Sequence, residues 1–232
     1  TYRTVYYEMS EVKIRNKEIL STLDEYVEDF FNQKYDKPEY RISGPNWDSH
    51  ANPEYWCSEH ALNELLKDPL KHPGYPDEHM AVPISRMEKI DPDIWTPFRK
   101  RARINFTLQI GATHAALTNY YPPGGFVGWH TNWNAAAHQM IFTWSKTGEG
   151  YFKYYDNKTK EIVTIPDVPG WQCRYYYFGK IEEVNHWCWH SAYTYCDRIT
   201  LAYKFQNTSI YHRDNVIAES IRDDLIEELE HV

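Results

Sequence analysis

From Arg103 to Phe205 the chain breaks into short, strand-like runs: 103–110, 113–121, 126–130, 138–145, 150–155, 161–165, 172–178, 186–190 and 198–205. Turn formers separate them at Gly111, Pro122 to Gly125, Thr147 to Gly150, Asp156-Asn157 and Pro166 to Gly170. Proline fixes its own φ and glycine permits positive φ, so each cluster ends one strand and turns the chain. Eight or nine short strands over about a hundred residues predict a β-sandwich or barrel.

The flanks have another texture. Residues 1–12 alternate like a strand around Tyr2, Val5 and Tyr7. Helical spacing of Ile19, Leu20, Leu23, Tyr26, Val27, Phe30 and Phe31 predicts a covering helix over about 16–34. A short helix is expected over about 54–67, with Trp56, Leu62, Leu65 and Leu66 on its apolar side. Pro69, Pro73, Pro76 and Pro83 then punctuate a loop, a candidate lid over a cleft. A third short helix is expected to include Ile94, Trp95 and Phe98. In the tail, about 213–230, Ile217, Ile221, Leu225 and Leu229 form a stripe that Ile226 widens. Packing on the sheet is the favoured role, with a homodimer seam as the alternative. The expected fold class is α+β with a mainly β core, in a single domain. Residues 1–102 form a helical and loop cover, 103–206 the core, and 207–232 a C-terminal helix.

Net charge is −8, which argues against a broad nucleic-acid-binding face, since phosphate contacts need clustered Lys and Arg. The one basic cluster, Arg99-Lys100-Arg101-Arg103, reads as the solvated end of a helix. Aromatics at 16%, including twenty tyrosines and nine tryptophans, suit an aromatic-lined core or cleft. Cys57, Cys173, Cys188 and Cys196 form no C-x-x-C pair, so buried free thiols are the default, with a Cys188–Cys196 bridge as the other possibility. No run is long enough to span a bilayer, and the N-terminus has no signal-peptide pattern. The expectation is a cytoplasmic protein with no membrane partner.

Chemistry concentrates in one stretch and two later residues. Asn119 to Asn132 reads Asn-Tyr-Tyr-Pro-Pro-Gly-Gly-Phe-Val-Gly-Trp-His-Thr-Asn. An apolar strand enters a Pro-Pro-Gly-Gly turn, and the chain returns to His130. His190 lies sixty residues on, and Arg198 eight further, opening Arg-Ile-Thr-Leu-Ala-Tyr-Lys-Phe. Two imidazoles at strand ends and a guanidinium, entering one barrel mouth, could hold a divalent metal beside a carboxylate. Iron(II) with open positions is the site type this suggests. His186 rivals His190, because on one extended strand their even spacing would put both on the same face. His50, His60, His72, His79, His212 and His231 have no such constellation, His114 reads as core, and His138 as structural.

These residues resemble the Fe(II)/2-oxoglutarate-dependent oxygenases, whose pattern is H-x-D/E, a distal His, and an Arg opening R-x-S/T. The run is most similar to the prolyl-hydroxylase-like branch. Gly148 to Asp156 resembles its G-G-E-L-x-F-x-D strand pair, and Pro166 to Phe178 its "P-x-x-G … F" strand. The resemblance spans about 103–206 and implies a double-stranded β-helix, or jelly roll. It implies an enzyme that uses Fe(II), 2-oxoglutarate and O2 to hydroxylate a small-molecule or peptide substrate, releasing succinate. His130, Asn132 and His190 would be the metal ligands. Arg198, Thr200 and Tyr120 would bind the distal carboxylate of 2-oxoglutarate, with His130, His190 and Arg198 as the catalytic trio. Asn132 departs from the pattern, which has a carboxylate there. Three readings of Asn132 stand open: its amide oxygen still binds the metal, or two histidines suffice with water in the third place; the chain is a degenerate member, a jelly-roll binding protein; or the residue is a replacement that arrests turnover.

Overall fold

The computed structural model describes residues 9–40, 52–94, 96, 114–205 and 223–230. Its strands are β1 Ser10–Val12, β2 His79–Met80, β3 Val82–Pro83, β4 His114–Tyr121, β5 Phe126–His130, β6 Ala137–Ser145, β7 Gly150–Asp156, β8 Glu161–Pro166, β9 Gly170–Phe178, β10 His190–Thr194 and β11 Arg198–Phe205. One sheet runs β1-β9-β6-β11-β4-β3 and the other β2-β5-β10-β7-β8.

The pairings follow one rule. Among the eight strands from β4 to β11, the first pairs with the last, the second with the next to last, and so on inward: β4 with β11, β5 with β10, β6 with β9, β7 with β8, all antiparallel. The chain is thus one long hairpin closed at β7–β8 and wound into two facing sheets, the jelly-roll topology. Polar turns set the closure. Asp156 Oδ1 accepts from Lys158 N at 2.7 Å and Thr159 N at 3.1 Å, and Gly148 and Gly170 stand at φ +81° and +86°. β2 and β3, cut from the proline-rich segment, extend one sheet each.

Helix α1, Lys17–Phe31, covers the outer face of the first sheet and buries Ile19, Leu23 and Phe30. Asn16 caps it, its Oδ1 accepting from Glu18 N and Ile19 N. The helix expected over 54–67 is two, α2 Pro53–Trp56 and α3 Glu59–Leu66. The break comes at Ser58, whose hydroxyl accepts from Ala61 N at 3.1 Å and starts the second helix. A helix not anticipated from sequence, α4, spans Ile84–Ile90. Beyond it only a 3-10 turn, Pro92–Ile94, stands where a third helix was expected, and Trp95 and Phe98 lie outside the described residues. Of the tail, 223–230 is helical (α5). Leu225 and Leu229 join the core beneath α1, and the Leu229 carbonyl accepts from Arg15 N and Asn16 N. These two leucines therefore face inward, while Ile217 and Ile221 lie outside the described residues.

Strands 126–130 and 198–205 stand where the sequence put them, but 186–190 does not. Val184–His186 is a 3-10 turn closed by Gly179 N donating to His186 O, and the strand begins at His190. The apolar run Trp187-Cys188-Trp189 signals burial, not extension. The expected run 103–110 lies outside the described residues. All four cysteines are buried and free, so there is no Cys188–Cys196 bridge. No helix among the described residues is long and apolar enough to cross a membrane.

Candidate active site

Strand alternation sends every second residue of the two sheets into the space between them. Leu117, Asn119 and Tyr121 of β4, Gln139, Ile141 and Thr143 of β6, and Arg198, Thr200 and Ala202 of β11 line one wall of a cavity of about 350 Å³. Val127 and His130 of β5, Phe152 of β7, and His190 and Ala192 of β10 line the other. Cross-strand register orders the first wall into rows. Tyr121 pairs with Arg198, Asn119 with Thr200 and Thr143, and Leu117 with Ala202 and Ile141. Charge, then hydroxyl and amide, then apolar surface follow one another toward an open mouth, where Leu117 is 49% and Tyr75 55% exposed.

His130 enters this cavity because of a bulge. Val127 opposes Ala192 and His130 opposes His190, so β5 has one residue more than β10 between the two pairs. Without the extra residue, alternation from the inward Val127 would turn His130 outward. With it, Trp129 points outward, its Nε1 donating to Ser58 O at 2.8 Å, and His130 points in. Gly128 sits in the bulge, where a Cβ would come within 3.0 Å of Glu78 O.

The two imidazoles, direct cross-strand partners, have ring centroids 4.0 Å apart at 48°. Each is tied back through Nδ1: His130 donates to Gly128 O at 2.8 Å and His190 to Cys188 O at 2.7 Å. A carbonyl can only accept, so both rings are the Nδ1–H tautomer, with the Nε2 lone pair turned away from the strand backbone. Burial pushes the His190 pKa down to about 4. Burial, and then His190 itself, holds His130 well below its ordinary value. Both are therefore neutral at pH 7, the state a metal ligand needs.

Asn132 follows the strand in the left-handed region, φ 58°, which asparagine tolerates better than most residues with a side chain. Its backbone N–H donates to Gly74 O at 2.7 Å, so the proline-rich segment clamps the stretch that follows His130. The same segment brings Tyr75, Pro76, His79, Ala81 and Pro83 to the cavity wall, where a cleft-covering loop was expected. The Asn132 amide Nδ2 donates to His190 Nε2 at 3.3 Å. Turning the amide over would present Oδ1 to a cation shared with the two histidines. Two neutral imidazoles and an amide fit a divalent metal, although they bring no negative charge to it. Among the described residues no group of three His, Cys, Asp or Glu side chains could hold one.

At the other end Arg198, 3% exposed, has its own counter-ion. Its Nε donates to Asp167 Oδ2 at 2.9 Å and its Nη2 approaches Asp167 Oδ1 at 3.5 Å. Nη1 donates to Thr200 Oγ1 at 3.2 Å, and the guanidinium lies 5.1 Å from the Tyr121 ring centroid. Asp167 reaches Arg198 over Gly150, whose Cβ would stand 2.9 Å from Asp167 Oδ2.

The cavity thus gathers His130, Asn132, His190, Arg198 and Thr200. It does not include Tyr120. Alternation turns that side chain to the other face of β4, against Phe30, Phe31 and Tyr35, where its hydroxyl donates to Asp197 Oδ1 at 2.7 Å. Tyr121 takes the inward position, lining the cavity with Asn119 and Thr200. His186, in its 3-10 turn near Tyr177, does not line the cavity either. Sequence reasoning missed Asp167, Asn119 and His79. Parity along β4 from Tyr121 could have found Asn119; nothing local marks the other two.

No family model matches the chain, and no curated protein matches it. Solved structures with some likeness include a Pseudomonas putida prolyl-4-hydroxylase, at 11% identity and TM-score 0.38, covering 87% of this chain and 93% of that one. A 2OG-Fe(II) oxygenase family oxidoreductase from Burkholderia pseudomallei matches at 13% identity and TM-score 0.31, over 63% of this chain and 79% of that one. OsALKBH1 matches at 14% and 0.26, over 38% and 46%. At these scores none of them bears on what this chain does.

Proposed function

We propose that the chain is an Fe(II)- and 2-oxoglutarate-dependent oxygenase that hydroxylates a C–H bond of a small-molecule or peptide substrate. The substrate hydrogen would be replaced by hydroxyl, and 2-oxoglutarate and O2 would become succinate and CO2. The observation that carries this reading is the cross-strand pair His130–His190, both rings held by Nδ1 to backbone carbonyls so that each presents an Nε2 lone pair, in the cavity that Arg198 closes. It agrees with the motif order His130-x-Asn132, His190, Arg198-x-Thr200.

When bound, the metal with its 2-oxo acid supplies the oxidising chemistry. The chain's part is to hold and orient. His130 and His190 would hold the ion, with Asn132 as a third, neutral donor. Arg198, Thr200 and the Tyr121 hydroxyl would fix the far end of the acid. Val127, Phe152 and Ala192 keep water from the wall between the two ends. The mouth, with Tyr75, Pro76 and Leu117, would admit the substrate.

A second reading, a binding protein on the same fold, is favoured by Asn132. Its amide donates to the lone pair a metal would use, and it lacks the charge that would draw a cation in. Anaerobic titration with Fe(II) and then 2-oxoglutarate separates the two. The oxygenase reading expects a saturable visible charge-transfer band in the natural sequence, and tighter metal binding in Asn132→Asp. A band only in Asn132→Asp would establish the binding-protein reading. No band in either form would refute the metal site altogether.

A further inference from the structure

We propose that the closed end of the cavity is built for a neutral carboxamide and not for a carboxylate, so that the 2-oxo acid this site prefers ends in an amide. The proposal rests on the preceding reading for the metal and the 2-oxo group, and departs from it only at the far end of the acid.

The first observation is charge. Among the described residues, Arg198 is the one lysine or arginine lining the cavity, and Asp167 already neutralises it through Nε and Nη2. Both side chains are 3% exposed, so water screens neither. A ligand carboxylate placed on Nη1 would share one guanidinium with a second, desolvated carboxylate, and like charges held close in a dry site disfavour each other. Arg174 lines a small pocket with this pair and also acts on Asp167, but Glu11 acts on Arg174 more strongly than Asp167 does and offsets its charge.

The second observation is a vacant acceptor. Asn119 is 7% exposed and lines the cavity beside Thr200, its cross-strand partner. Its buried Oδ1 has no partner. A buried acceptor is completed by a donor. A carboxylate has no donor to offer, whereas a primary amide brings an acceptor for Arg198 Nη1 and an N–H for Asn119 Oδ1 together. Thus Asp167 removes the reason to prefer an anion, and Asn119 supplies a reason to prefer an amide.

The test is equilibrium binding by calorimetry under nitrogen, with the full chain loaded with Fe(II). The probes are N-oxalylglycine and N-oxalylglycinamide, which share the 2-oxo acid head and differ only in a carboxylate or carboxamide end. The amide is expected to bind more tightly than the acid. Asp167→Asn should reverse that order, and Asn119→Leu should weaken the amide by about tenfold, the worth of one buried hydrogen bond, and change the acid little. The comparison in the unsubstituted protein stands whether or not either variant folds. If the acid binds as tightly as the amide or more so, the proposal is overturned and the reading with 2-oxoglutarate stands. If neither probe binds to the metal-loaded chain, the 2-oxo-acid reading falls and this proposal with it.

Discussion

Replacing Asp167 by leucine should be among the most damaging single substitutions in the β core. It leaves the Arg198 guanidinium at 3% exposure with no counter-ion. Arginine cannot escape by losing its proton. At an effective dielectric of about 20, charges about 4 Å apart attract by about 4 kcal/mol. Breaking a buried pair from one side costs about 3–5 kcal/mol. A domain's whole stability is about 5–15 kcal/mol, so the loss is a large fraction of it. Urea unfolding followed by tryptophan fluorescence reads it directly. With a slope of about 3 kcal/mol per molar, the midpoint should fall by about 1 M or more. The double variant Asp167→Leu/Arg198→Met removes both charges and should recover most of the loss. A single variant within about 1 kcal/mol of the parent, or a double variant less stable than the single, would refute the view that this pair is buried and mutually dependent.

Leu229→Ala, at a fully buried position of α5, should cost about 2–5 kcal/mol through its cavity; a change near zero would place the tail helix off the core. The metal-free protein should lose stability as the pH drops from about 6.5, the unfolded imidazole value, to about 4, where the folded His190 protonates. The folded chain binds fewer protons than the unfolded one across that window, so this contribution is full above it, falls across it and is lost below it. Thermal melts at a series of pH values, compared with His190→Gln, measure this, and an identical slope in the variant would mean that His190 is not held neutral by burial.

Much of the fold was legible because jelly-roll strands are short and their turns are marked by Pro, Gly, Asp and Asn. Most boundaries between 113 and 205 fall within a residue or two of the turn signals. The exception, 186–190, failed because tryptophans report burial in a loop as readily as in a strand. The helix over 16–34, and 223–230 of the tail helix, were legible from 3.6-residue periodicity. The split at Ser58 hinged on one capping hydroxyl, and α4 carries too little periodicity over seven residues to announce itself.

For the site, the sequence by itself determined which side chains could do chemistry: His130, Asn132, His190, Arg198 and Thr200 in the order and spacing of a metal-and-acid site. Tertiary structure decided which way they face. Facing is a matter of parity, and one bulge residue in β5 reverses it for His130 and Trp129, just as alternation chooses Tyr121 over Tyr120. It also decided the electrostatics of Arg198, because Asp167 comes from a turn thirty-one residues away and meets it only when the two sheets close. Local residue types fix the chemistry available, whereas burial, partners and charge balance depend on contacts between segments that no local pattern encodes.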